Sequence, residues 1–136
     1  MTNRHRYLYA AYLAAIALAG CLAFALCGQP AAAQEAWTAA DTLQALDGQP
    51  SPIGCIVAIE TGHTYDPYSV GRAGELGVAQ LHPQGELPRF LYGDWSPAPA
   101  VGFRDPYDPF VAVAFLRWWG DTHRWTFQPW SAWRFC

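Results

Sequence analysis

Apolar and polar residues fall into blocks along this chain, and the longest apolar block comes first. A basic start, Arg4-His5-Arg6, precedes an apolar stretch over residues 7–27, and three alanines follow at residues 31–33. This order is typical of a secretory signal peptide with an A-x-A cleavage site. We therefore expect residues 1–33 to be a signal peptide and residues 34–136 to form one exported domain.

Two other interpretations of the first block remain open. Leu18-Ala19-Gly20-Cys21 resembles the lipobox of bacterial lipoproteins, and the apolar stretch is long enough to anchor the chain in a bilayer if it is not cleaved. All three interpretations place the folded part outside the cytoplasmic membrane, secreted or periplasmic. They limit membrane contact to the N-terminal segment.

After residue 33 the apolar spacing and the capping residues predict short helices separated by irregular loops. The predicted helical segments are 39–46, 53–59, 78–81, 87–92 and 109–119. Ser51-Pro52 favours a helix for the second of these, although its β-branched residues leave a buried strand as the alternative. Gly48 and Gly120 are expected to end the first and last helices. The predicted fold class is mainly α, a small domain with irregular loops over residues 61–77 and 93–107.

Cysteine positions add one covalent link to this fold. Two of the four cysteines lie in the predicted signal peptide, which leaves Cys55 and Cys136 as a pair in an oxidising compartment. We expect them to form a disulfide, with two unpaired buried thiols as the alternative. Closing a loop of about 80 residues would stabilise the domain by about 4–5 kcal/mol in the chain-entropy model.

Charge and composition exclude several classes of function. Residues 34–136 hold six arginines against eleven Asp and Glu, a net charge of −5, which is the wrong sign for nucleic-acid binding. The histidines His63, His82 and His123 share no metal-ligand spacing, and the chain has no phosphate-binding glycine loop or Gly-x-Ser-x-Gly elbow. We expect neither a metal nor another cofactor. With 52% apolar and 15% aromatic residues, the chain can form a packed core.

Glu60 is the first candidate for chemistry, because it ends a buried apolar segment. Desolvation and the negative C-terminal end of the helix dipole would both raise the pKa of its carboxyl. A carboxylic acid that stays protonated near neutral pH is suited to protonating a glycosidic oxygen.

The residues around Glu60 form a longer pattern. Glu60-Thr61-Gly62, Tyr65-Asp66-Pro67 and the segment over residues 74–83 resemble the core signature of the soluble lytic transglycosylase and goose-type lysozyme superfamily. Asp105-Pro106-Tyr107-Asp108-Pro109 is similar to the Asp-Pro start of the next core helix of that family. The resemblance covers about residues 53–119 and implies a lysozyme-like fold.

The resemblance also implies roles for individual residues. Glu60 matches the catalytic acid/base, and Gln80 matches a cleft glutamine that contacts sugar. Tyr65 matches the aromatic of the turn, and we expect it to contact substrate. Glu75 occupies the place of a small residue and adds a second carboxylate, a candidate for positioning a water or a sugar hydroxyl.

The sequence departs from the family pattern at two further places. Thr61 replaces a serine and keeps a hydroxyl, while the later Ala-Tyr-Asn segment has no counterpart. A tryptophan-rich tail takes its place, and we expect rings such as Trp130 to supply the missing wall of the cleft. Core packing by these tryptophans is the alternative.

The expected function is cleavage of the muramic acid to glucosamine linkage in peptidoglycan glycan strands with a single catalytic Glu. An anhydro-forming lytic transglycosylase and a hydrolytic lysozyme are close variants of this hypothesis. The alternative is an inactive peptidoglycan-binding or structural module of the same fold.

Overall fold

The computed structural model describes residues 36–136, which form one compact unit, Ala36–Cys136. The predicted signal peptide, with its cleavage and lipidation sites, lies outside the described residues. Four α-helices and one 3₁₀ helix make up the regular structure of the described part. They are α1 Ala39–Leu46, α2 Ser51–Glu60, α3 Glu86–Tyr92, α4 Pro109–Thr122 and the 3₁₀ helix Ser131–Phe135. The predicted mainly helical class is confirmed for this part of the chain.

The first helix begins and ends where its capping residues predict. The Thr38 side chain accepts a bond from the Asp41 backbone N–H, while the Asp41 carboxylate accepts from the backbone N–H of Thr38. This reciprocal capping box satisfies two N–H groups that the first turn leaves without partners. The last residue of α1 is Leu46, ahead of Gly48.

Residues 51–60 form helix α2 and not a strand. Pro52 lies in the first turn, where a backbone N–H would have no partner within the helix, and its fixed φ suits a helix start. The side chains of Ile53, Ile56 and Val57 are fully buried, and their spacing of three and four residues puts them on one helical face. The stabilisation from burying this face outweighs the strand propensity of the β-branched residues.

Helix α4 runs beyond its predicted end. Asp108 caps it as expected, since its Oδ1 accepts from the N–H of Phe110 at 2.9 Å. Gly120 does not end the helix, which continues to Thr122. A Cβ at residue 120 would come within 2.7 Å of the Trp125 ring, so glycine is needed there to let the returning chain pack closely.

The predicted short helix over residues 78–81 is wrong. Leu76 and Leu81 instead exchange backbone bonds in both directions, at 3.2 and 3.0 Å, and close a tight turn. Gly77 and Gln80 have φ values of 70° and 46°, in the left-handed region that a right-handed helix does not use. Residues 87–92, in contrast, belong to helix α3 as predicted.

The predicted disulfide is confirmed. Cys55 in α2 is bonded to Cys136, with the Cα atoms 5.7 Å apart. The bond fixes the segment that carries the 3₁₀ helix against α2. Within residues 36–136, no helix is long and apolar enough to cross a membrane.

Candidate active site

Glu60 is the last residue of α2, and its carboxyl group lies beside the 3₁₀ helix. The Ala132 backbone N–H donates to Glu60 Oε1 at 3.2 Å. Burial raises the pKa of Glu60 above its usual value of 4.5, and the nearby Glu75 carboxylate acts in the same direction. The bond from Ala132 opposes burial by stabilising the charged form. Burial is the larger effect, so the net shift of the Glu60 pKa is upward and the carboxyl group holds its proton more tightly than a free glutamate does.

The end of α2 is held by the next residue. Thr61 Oγ1 donates to the Val57 carbonyl at 2.8 Å and accepts from the Tyr65 N–H at 3.1 Å. One buried hydroxyl therefore joins the last turn of the helix to the loop that follows. Thr61 therefore fixes the backbone directly after Glu60.

A pocket of about 270 Å³ opens in front of the Glu60 carboxyl group. Four residues predicted for the site line it together: Glu60, Glu75, Gln80 and Trp130. The other lining residues come from the segment that leads into α3 and from the start of the 3₁₀ helix: His82, Gly85, Glu86, Pro129 and Ser131. The structure thus brings together side chains that are up to 70 residues apart in sequence.

Glu75 and Gln80 are held in place by the turn over residues 69–81. Glu75 Oε2 accepts from the Ala73 N–H at 2.9 Å, and Gln80 Nε2 donates to the carbonyls of Gly77 and Ser69 at 2.8 and 3.2 Å. A Cβ at Gly71 would overlap both the Glu75 carboxylate and the Gln80 Oε1. The two side chains therefore pack directly over the bare backbone of Gly71.

Trp130 forms a fixed wall of the pocket. It is only 3% exposed, and its indole N–H donates to the Ala79 carbonyl. Its ring meets that of Trp119 edge to face at 5.2 Å. Trp130 therefore belongs to the core and also lines the pocket, while its expected contact with sugar stays a prediction.

The chain gives no match when it is compared with protein-family models, with curated protein sequences and with solved structures. Its function is therefore inferred from the residues of the site.

Tyr65 is not among the residues that line the pocket. Its φ is 57°, and its side chain is partly buried against the core. Its backbone N–H, bonded to Thr61, is its link to the end of α2. Contact of the Tyr65 ring with substrate stays a prediction from the resemblance.

Several residues of the site were not predicted from the sequence, among them Ala132, His82 and Glu86. The N–H of Ala132 carries no sequence signal, because every residue except proline has one. His82 and Glu86 follow Gln80 closely and could have been found as polar residues next to a predicted site residue. His82 Nδ1 accepts from the Gln84 N–H at 3.2 Å, which orients its ring.

The described residues hold no grouping of three or more His, Cys, Asp or Glu side chains that could bind a metal ion. The polar side chains that line the pocket carry carboxyl, amide, imidazole, indole and hydroxyl groups. A protonated Glu60 can donate a proton there, and its carboxylate can take one back.

Proposed function

We propose that this protein is an exported glycosidase with a lysozyme-like fold that cleaves the muramic acid to glucosamine linkage of peptidoglycan. The observation that carries the proposal is the Glu60 carboxyl group, which burial biases toward the protonated form in an open pocket. Gln80, which the motif resemblance implies, lines that pocket together with Glu75 and Trp130, at which the sequence departs from the family pattern.

The first step uses the proton on Glu60. With the scissile bond in the pocket, Glu60 donates this proton to the glycosidic oxygen, the bond from that oxygen to the anomeric carbon breaks, and the leaving sugar gains a hydroxyl. The anomeric carbon is left with positive character. The carboxylate that forms on Glu60 accepts the N–H of Ala132, which stabilises its negative charge.

The second step returns a proton to Glu60. In the anhydro-forming variant, the C6 hydroxyl of the muramyl residue bonds to the anomeric carbon and its proton passes to the Glu60 carboxylate. In the hydrolytic variant, a water molecule takes the place of that hydroxyl. Glu75 lines the same pocket, which supports its proposed role in orienting the attacking group.

Export is supported by the leader over residues 1–33 and by the disulfide. Disulfides form and persist in oxidising compartments, outside the bacterial cytoplasm. Peptidoglycan lies in the same compartment. The protein would therefore fold where its proposed substrate is.

The test is digestion of insoluble peptidoglycan by the oxidised protein. We expect Glu60→Gln to remain folded and to lose activity by about 100-fold or more, because general acid catalysis typically contributes 10²–10⁴. Asp94→Asn removes an exposed carboxylate outside the pocket and should keep full activity. Equal turnover by wild type and Glu60→Gln would refute Glu60 as the acid.

Mass spectrometry of the released fragments separates the two variants of the reaction, because the anhydro product is lighter by one water. An inactive wild-type protein that is nevertheless retained on insoluble peptidoglycan would instead identify a binding module.

A further inference from the structure

A second pocket, of about 390 Å³, adjoins the first through Trp130. Gln128, Trp130, Trp133 and Arg134 line it. Trp130 lines both pockets, so the second pocket borders the one that Glu60 lines. Neither the resemblance nor the proposed acid/base chemistry assigns a role to this second pocket.

Arg134 gives this pocket a free positive charge. Among residues 36–136 the one ion pair joins Arg117 to Asp121, and Arg134 has an exposed side chain with no hydrogen-bond partner in that part of the chain. Arg104, in contrast, is used by the fold, since its guanidinium donates to the Phe90 and Gly93 carbonyls. In a domain with an excess of acidic residues, a free guanidinium at a pocket is a specific site for an anion.

The other side chains add sites for a sugar ring. Trp133 is partly exposed and offers ring surface to a ligand, while the Gln128 amide is exposed and can bond to hydroxyl groups. An aromatic surface, an amide and a guanidinium together fit a sugar that carries a carboxylate. A neutral sugar would leave the guanidinium without a partner.

This pocket is held firmly relative to Glu60. Trp133 and Arg134 lie in the 3₁₀ helix between two fixed points, Ala132, which bonds to Glu60, and Cys136, which is bonded to Cys55. A carboxylate on Arg134 would therefore place a bound glycan in one register against Glu60.

We propose that the pocket of Gln128, Trp130, Trp133 and Arg134 is a carboxylate-selective subsite for the glycan strand. As a deeper account of the same site, this rests on the proposed function. Two groups on peptidoglycan supply such a carboxylate: the free lactyl group of a muramic acid stripped of peptide, and the carboxylates of an attached peptide. Arg134 pairs with the carboxylate, and Trp133 contacts the sugar that bears it.

Binding is measured in the Glu60→Gln background, so that no probe is cleaved. Three probes are used: a neutral N-acetylglucosamine tetramer, a glycan tetrasaccharide with free muramic carboxylates, and the same tetrasaccharide carrying peptides. We expect Arg134→Gln to weaken binding of a carboxylate-bearing probe about tenfold or more, as the loss of a charged hydrogen bond implies. Binding of the neutral tetramer should be unchanged.

Arg124→Gln is the matched control, because it removes an exposed arginine outside both pockets. The carboxylate-bearing probe that responds to Arg134→Gln identifies the source of the carboxylate. Equal affinities with and without Arg134, equal losses for neutral and acidic probes, or no binding of either acidic probe would overturn the subsite. Circular dichroism of Arg134→Gln confirms that a loss of binding is not a loss of fold.

The two proposals can fail separately. Carboxylate-selective binding by a wild-type protein that cleaves nothing would refute the glycosidase and keep the subsite. Cleavage of peptidoglycan by a protein whose binding of the acidic probes is unchanged by Arg134→Gln would refute the subsite and keep the glycosidase.

Discussion

The backbone N–H of Ala132 donates to the side-chain carboxyl of Glu60, which lies 72 residues earlier in the chain. The donor belongs to the 3₁₀ helix and the acceptor to the end of α2. Because the two segments are also joined by the disulfide, the protonation of Glu60 depends on the position of the C-terminal segment. This dependence leads to several measurable effects.

The pH dependence of stability should report the raised pKa of Glu60. Well below pH 4.5 the carboxyl is protonated in both the folded and the unfolded protein, so the raised pKa does not lower the free energy of unfolding there. As the pH rises through the folded pKa, the folded state must charge a group that burial disfavours, and stability falls. Glu60→Gln removes this loss and keeps an oxygen acceptor for Ala132.

We therefore expect the unfolding free energy of Glu60→Gln, relative to wild type, to increase between pH 4 and pH 7. Urea unfolding at several pH values measures it, with Asp94→Asn as the control for the loss of one charge. A difference that stays constant with pH would show that Glu60 titrates alike in both states.

Removing the disulfide should destabilise the domain strongly. The bond spans 81 residues, and a loop of this size corresponds to about 4–5 kcal/mol in the chain-entropy model. We expect Cys55→Ser/Cys136→Ser to lose about 4 kcal/mol in urea unfolding followed by tryptophan fluorescence. A reductant should have the same effect on wild type and none on the double variant. A change below 1 kcal/mol would contradict this prediction.

Gly71→Ala should displace two side chains that line the pocket. The added Cβ overlaps the Glu75 carboxylate and the Gln80 amide oxygen, so both side chains must move. We expect a loss of about 1–3 kcal/mol in stability, as for other overpacked positions, together with reduced activity. Gly54→Ala is the control, since its Cβ meets nothing within 4 Å in the interior of α2. It should stabilise the protein by up to about 1 kcal/mol and leave activity unchanged.

Thr61→Val should loosen the loop after Glu60. The valine has similar volume but no hydroxyl, so the Tyr65 N–H loses its acceptor and stability should fall by about 1–3 kcal/mol. Thr61→Ser keeps the hydroxyl and should lose less. Hydrogen exchange at the Tyr65 amide measures the effect locally: it should be faster in Thr61→Val than in Thr61→Ser, and equal rates would contradict the role of the hydroxyl.

Local signals explain which parts of the fold could be predicted. Caps at Thr38 and Asp108 act within a few residues of themselves, and they gave the starts of α1 and α4 correctly. Gly120 misled the prediction, because its role is to admit the Trp125 ring from a later segment. The turn over residues 78–81 depends on bonds between Leu76 and Leu81 and on left-handed backbone, which the apolar spacing does not encode.

Residues of the candidate site could be predicted where the side chain itself bears a reactive or hydrogen-bonding group. Glu60 was proposed from its position at the end of an apolar segment and Gln80 from the family resemblance, and both line one pocket. Ala132 could not be found, since its contribution is a backbone group positioned by tertiary structure. For the same reason, no pattern distinguished the buried Trp130 from the partly exposed Trp133.

The bond between Cys55 and Cys136 also sets the order in which the pocket can form. A chain is synthesised from its N-terminus, so Glu60 emerges from the ribosome 72 residues before its donor, Ala132. Trp130 and the 3₁₀ helix arrive after every α-helix of the described part has been made. The carboxyl group therefore exists first without its partner, and oxidation then fixes the last segment beside it. Under the proposed export, the covalent link that holds the 3₁₀ helix beside Glu60 forms only once the chain reaches an oxidising compartment.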